Sequence, residues 1–135
     1  MKLIVLLGLM FSISFANAFD AAKKFKDTCT QCHTIGGGDK IGPDLAGVSK
    51  RRKMEWIIKF VKYPDGMING DEEEPGYEKA DPLAKALFEA YKPQAMTEQE
   101  MSDAEIKAVI KYIDDQKKAP KGKIVKFEAD RKKKK

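Results

Sequence analysis

The sequence predicts an all-α domain of about four short helices around one buried group. Three observations carry that prediction. Apolar residues recur at helical spacing in four separate stretches, and no convincing period-two strand pattern or internal repeat occurs. Helix-start signals precede the later stretches. Finally, both cysteines of the chain and its single histidine fall in one pentapeptide, Cys29-Thr30-Gln31-Cys32-His33.

The chain opens on Lys2, an apolar run from Leu3 to Phe15, and Ala16-Asn17-Ala18. That order is the form of a secretory signal peptide, with residues 1–18 removed by cleavage after Ala18. The apolar run has 13 residues, against the roughly 20 of a spanning helix, so a retained membrane anchor is the weaker alternative. The domain is expected over 19–118, with a basic C-terminal tail over 119–135. The formal net charge of +5 resides in that tail. Setting aside Lys2 and the five terminal cations from Arg131 to Lys135, 20 basic side chains face 21 acidic ones. A body so balanced offers no field for nucleic acid, and none is expected as a partner.

The first helix is expected from Phe19 into the pentapeptide, with Ala21, Phe25, Cys29 and Cys32 on one face. A glycine loop follows, Gly36-Gly37-Gly38, ending in Gly42-Pro43-Asp44-Leu45. Ser49 is the expected N-cap of a second helix bearing Trp56, Ile57, Phe60 and Val61. Tyr63-Pro64 should stop it. From Asp65 to Lys79 the chain is punctuated by glycine and proline and carries Asp71-Glu72-Glu73-Glu74, which predicts an exposed, mobile loop. Asp81-Pro82 pairs an N-cap with a proline at the first helical position. The third helix then presents Leu83, Ala84, Leu87, Phe88 and Tyr91, and Pro93 ends it. Ser102-Asp103-Ala104-Glu105 is a capping box before Ile106, Val109, Ile110 and Ile113. Pro120 closes this last helix, and the tail beyond it offers little to bury.

The pentapeptide is a c-type haem attachment motif. Residues i and i+3 of a helical turn share a face, so both thiols can add to the two vinyl groups on one edge of a porphyrin. His33 then offers an imidazole nitrogen to the iron as proximal ligand. A structural zinc site needs four ligands where three exist, an iron–sulfur cluster needs about four cysteines, and a thioredoxin-like dithiol needs a preceding strand. A plain disulfide between Cys29 and Cys32 remains open.

With these features in this order, residues 19 to 117 resemble the small monohaem class I cytochromes c of bacteria. The resemblance rests on the pentapeptide, on Gly42-Pro43-Asp44-Leu45-Ala46-Gly47, on Phe25, and on Val109 and Tyr112. It implies the cytochrome c fold and one haem c joined covalently through Cys29 and Cys32. It also implies a Pro43 carbonyl that accepts a hydrogen bond from His33. Ala21 stands where the family more often has glycine at the crossing of the terminal helices. The second axial ligand in this family is a methionine thioether, and no second histidine exists to replace it. Met96 lies between helices at the family spacing, although Thr97 follows it where the family usually has proline. Met67 is the next candidate, and Met54 and Met101 have packing roles instead. Thr97-Glu98-Gln99-Glu100 also has the form of a second capping box.

Lys50-Arg51-Arg52-Lys53 begins a helix, where the dipole disfavours cations, so Arg51, Arg52 and Trp56 are candidate donors to the haem propionates. Lys23, Lys24, Lys26 and Lys40 could ring the exposed haem edge and steer an acidic redox partner. The terminal lysines could touch anionic lipid. The resulting expectation is not an enzyme but a monomeric electron carrier in the periplasm of a Gram-negative bacterium. It would shuttle one electron between respiratory redox partner proteins, a reductase or an oxidase docking at the exposed haem edge. Alternatives are a five-coordinate gas-binding or peroxidase-like haem protein, and a membrane-tethered subunit of a respiratory complex.

Overall fold

The computed structural model describes residues 18–124. The expected signal-peptide segment up to Asn17 and the tail from Val125 onward lie outside the described residues. Among those described there are six α-helices, one 3₁₀ turn and no strand.

Helix α1 (Ala21–Thr28) begins where the Asp20 carboxylate accepts from the Lys23 backbone N–H at 2.9 Å, and it runs directly into the 3₁₀ turn Cys29–Gln31. It packs on the last helix, α6 (Asp103–Asp115). Phe25 is buried there with Ile106, Val109, Ile110 and Ile113, and its ring lies 5.7 Å from that of Tyr112. Each such side chain removed from water contributes about 1.5–3 kcal/mol. Ala21 sits at the edge of this cluster, small enough for the crossing. The capping box of α6 is formed as expected. Ser102 Oγ accepts from the Glu105 N–H at 3.2 Å, and Glu105 Oε2 accepts from the Ser102 N–H at 2.8 Å.

In place of the single helix expected from Ser49 there are two, α2 (Val48–Arg51) and α3 (Met54–Lys62). Ser49 lies inside α2, whose start is set by Gly47 at φ +64°. Arg52 is extended between them, at φ −131° and ψ 142°. The break turns its guanidinium back over the Trp56 ring, 5.6 Å from the centroid, where the residue is only 8 % exposed. A cation over an indole face gains from the ring quadrupole.

The loop expected from Asp65 begins instead as a helix, α4 (Pro64–Asn69), with Pro64 at its first position. Pro64, Gly66, Met67 and Ile68 are buried. Gly66 makes this possible, since a Cβ there would lie 2.4 Å from the Tyr63 ring. The acidic stretch after α4 folds back rather than hanging free. Tyr63 Oη donates to Asp71 Oδ2 at 2.8 Å, and Tyr63 and Tyr77 meet edge to face at 5.2 Å. Beside Asp71 the Tyr63 hydroxyl is pushed up to about 12.

Helix α5 (Pro82–Tyr91) is capped by Asp81, which accepts from the Ala84 N–H at 2.8 Å. The segment from Lys92 to Met101 then crosses to α6 and is pinned to the end of α3 by Gln99 N–H donating to the Val61 carbonyl at 3.1 Å. No helix starts at the second capping-box sequence. Thr97 instead accepts from the Gln99 side chain, and Met101 packs against the buried cluster that contains Ile106.

Candidate functional site

The 3₁₀ turn sets the two thiols and the histidine together. Cys32 and His33 N–H groups both donate to the Cys29 carbonyl, at 3.1 and 2.9 Å. Cys29 and Cys32 are half-buried and are not joined to each other in a disulfide. Burial pushes the Cys29 thiol up, with Lys24 opposing it.

His33 Nδ1 lies 2.8 Å from the Pro43 carbonyl oxygen. A carbonyl can only accept, so Nδ1 carries the proton and Nε2 keeps its lone pair. Burial lowers the His33 pKa, against the Pro43 contact that raises it, and favours the neutral imidazole that binds metals. The glycine before Pro43 is required for space. A Cβ on Gly42 would fall 2.6 Å from His33 Cε1.

Asp44 holds the loop that carries Pro43. Its side chain is 0 % exposed. Its carboxylate accepts from the N–H groups of Gly36 at 2.7 Å, Gly38 at 2.9 Å, Ala46 at 2.9 Å and Lys121 at 3.1 Å. Burial pushes this carboxyl up, but the four donors outweigh it and hold it below the usual carboxylate range.

A cavity of about 420 Å³ opens beside His33. Every helix gives it a wall residue, among them Thr28, Val48, Trp56, Ile68, Leu87 and Ile106. Cys29, Cys32, Pro43 and Met96 line it as well. Trp56 stacks on Phe60, with centroids 5.0 Å apart, and its buried Nε1 has no hydrogen-bond partner. A buried indole N–H without an acceptor costs free energy unless a ligand supplies one. The donor set therefore fits a haem: two thiols for the vinyl edge, an imidazole for iron, an apolar wall for the macrocycle, and an N–H waiting for a carboxylate.

Residues 19–117 match the family model described as Cytochrome c. The chain belongs to the cytochrome c family. Solved structures agree. The cytochrome c domain of the pp3183 protein from Pseudomonas putida is 35% identical, covering 70% of this chain and 84% of that one, at a TM-score of 0.53. Cytochrome c from Rhodothermus marinus is 28% identical, covering 83% of this chain and 86% of that one, at a TM-score of 0.57. An engineered form of the Rhodothermus marinus protein, Rma TDE, is 27% identical over 83% of this chain and 87% of that one, with a TM-score of 0.56. This cytochrome c carries haem c attached through Cys29 and Cys32, and the chemistry of its family is haem-based electron transfer.

Arg51 and Arg52 both line the cytochrome's cavity. Arg51 also braces the loop, donating to the carbonyls of Ala46 and Asp44. Arg52 donates to the Arg51 carbonyl at 2.9 Å. Of the methionines, Met96 and Met101 line the cavity, while Met67 packs with Ile68 and Ala84 without lining it and Met54 packs against the core of Phe25 and Ile106. Lys23 pairs with Asp27, and Lys40 Nζ donates to the Thr30 carbonyl at 2.5 Å. Sequence reasoning missed Asp44 as the centre of the loop. The signal was present, since an Asp beside glycines with an N–H two residues on is an Asx-turn pattern. It also missed Ile124, which is 3 % exposed and lines the cavity, so the chain after Pro120 does bury an apolar side chain. No helix among the described residues is long and apolar enough to cross a membrane.

Proposed function

We propose that this cytochrome c is an exported, periplasmic one-electron carrier whose iron is held by His33 and Met96. The observation that carries the proposal is that the Met96 thioether and the only imidazole in the chain line one apolar cavity. When bound, haem supplies the Fe(II)/Fe(III) couple. The chain's part is to fix the imidazole tautomer through Pro43, to offer sulfur on a segment tethered by Gln99, and to keep water from the macrocycle. Trp56 Nε1 and Arg52 are the proposed propionate donors, with Arg51 behind them. Ile41 lines the cavity yet is 49 % exposed, which supports an edge open to partners. Lys24, Lys26 and Lys40 lie near the attachment turn in sequence and suit an acidic reductase or oxidase face. The terminal lysine run suits weak contact with anionic lipid.

The test is the visible spectrum of the purified ferric protein beside Met96→Ala. A low-spin, sulfur-ligated spectrum in the parent that is lost in the variant is expected. A high-spin parent spectrum would overturn the carrier reading.

A further inference from the structure

The family match ends at residue 117, but the fold does not. Lys117, at φ +52°, turns the chain back across the glycine loop. The Lys118 side chain then lies so close to Gly36 that a Cβ there would meet it at 2.6 Å. Two backbone N–H groups of the next residues are taken by carboxylates more than seventy residues away. Lys121 donates to Asp44 Oδ2 at 3.1 Å and Lys123 to Asp39 Oδ2 at 2.6 Å. Asp39 is held in turn by the Tyr91 hydroxyl at 3.2 Å, and Lys123 Nζ sits 5.4 Å from the Tyr91 ring centroid. These latches deliver Ile124 into the cavity wall at 3 % exposure.

We propose that residues 118–124 are a strap that closes the haem cavity, with Ile124 as a haem-shielding wall residue. The proposal rests on haem occupying the cavity and not on the identity of its sixth ligand. An aliphatic side chain against the macrocycle keeps water away from the iron, and water stabilises the more highly charged ferric state. A closed strap therefore raises the reduction potential, and an open one lowers it. Through Asp44 the same strap shares an anchor with the loop that orients His33.

Gly122 provides a specific way to open the latch. It lies at φ +90°, and a Cβ on it would fall 2.4 Å from Asp39 Cγ. Gly122→Ala cannot keep the Asp39 contact, while every polar group stays in the chain. Ile124→Ser leaves the latch and removes the apolar wall. Amide hydrogen exchange and spectroelectrochemical titration are measured on the holoproteins of the parent and both variants, with the α6 amides as an internal control for folding. The parent should protect the Lys121 and Lys123 amides about tenfold or more over free-peptide rates. Gly122→Ala should lose that protection with α6 unchanged, and both variants should titrate at lower potential than the parent. Free-peptide exchange at Lys121 and Lys123 in the parent would overturn the strap. Unchanged potentials in both variants would overturn its role in shielding.

Discussion

At the scale of single residues, the site depends on what is absent as much as on what is present. Gly42 has no side chain because the His33 ring occupies that space, with Nδ1 3.0 Å and Cε1 2.6 Å from where a Cβ would sit. Gly42→Ala must displace the imidazole or the loop, so the Nδ1 contact to Pro43 weakens. The expected cost is about 1–3 kcal/mol in the folded holoprotein, checked by denaturant melts followed at the haem band. An unchanged midpoint would show that the loop yields freely. The identity of the glycine was legible in the Gly-Pro-x-Leu-x-Gly pattern, but its reason was not. His33 and Gly42 are brought together by the fold, through the Gly42 N–H donating to the Cys32 carbonyl at 2.8 Å and the Leu45 N–H donating to the Thr34 carbonyl at 2.9 Å. At Asp44 the bond to the Ala46 N–H is a local Asx-turn pattern that a sequence can show, whereas the donors Gly36, Gly38 and Lys121 reach it only through the fold.

At the scale of elements, local signals succeeded where a helix carries its own start code. The Ser102 box, the Asp81-Pro82 start and the Pro93 stop all fell where expected, since each acts within a turn of itself. Ser102→Ala should therefore cost about 1 kcal/mol in chemical denaturation, because the Glu105 N–H loses its acceptor. A loss near zero would mean that burial of the α6 apolar face alone sets the start of the helix. Signals failed where a distant partner overrides them. Pro64-Asp65-Gly66 reads as a turn, yet it forms the start of α4 because the Tyr63 ring covers Gly66 and the segment is buried. The α2–α3 break is invisible in the basic run around Arg52, because it depends on that guanidinium finding the Trp56 face.

At the scale of the whole molecule, Asp44 joins the proximal loop, the glycine loop and the chain beyond α6. Its carboxyl is held below the usual range, and an unfolded aspartate titrates near about 3.9. The unfolded chain thus takes up this proton before the folded one does. The stabilisation is complete above the unfolded pKa and is lost as pH falls through the lower folded value. Unfolding free energy should decline with acid from about pH 4 downward. Asp44→Asn should be less stable at neutral pH by about 3 kcal/mol, because its carboxamide oxygen can accept from only one pair of these N–H groups while its NH2 faces the other pair. It should also lose part of the acid slope. Parallel pH profiles for parent and variant would remove Asp44 as the source.

By itself the sequence determined the chemistry of attachment and the class of fold. Both thiols and the only imidazole lie within five consecutive residues, and the helical spacing of the apolar residues needs no partner to be read. It also excluded a second imidazole ligand from within the chain, since His33 is its only histidine. The tertiary structure alone decided which sulfurs reach the cavity wall, that the Trp56 N–H is buried without a partner, and that Ile124 returns to line the cavity with the α-helices. The physical reason is range. Caps, turns and periodicity act over a few residues, whereas burial and hydrogen-bond partnership here join Lys121 to Asp44 and Lys123 to Asp39, and no local pattern encodes such pairs.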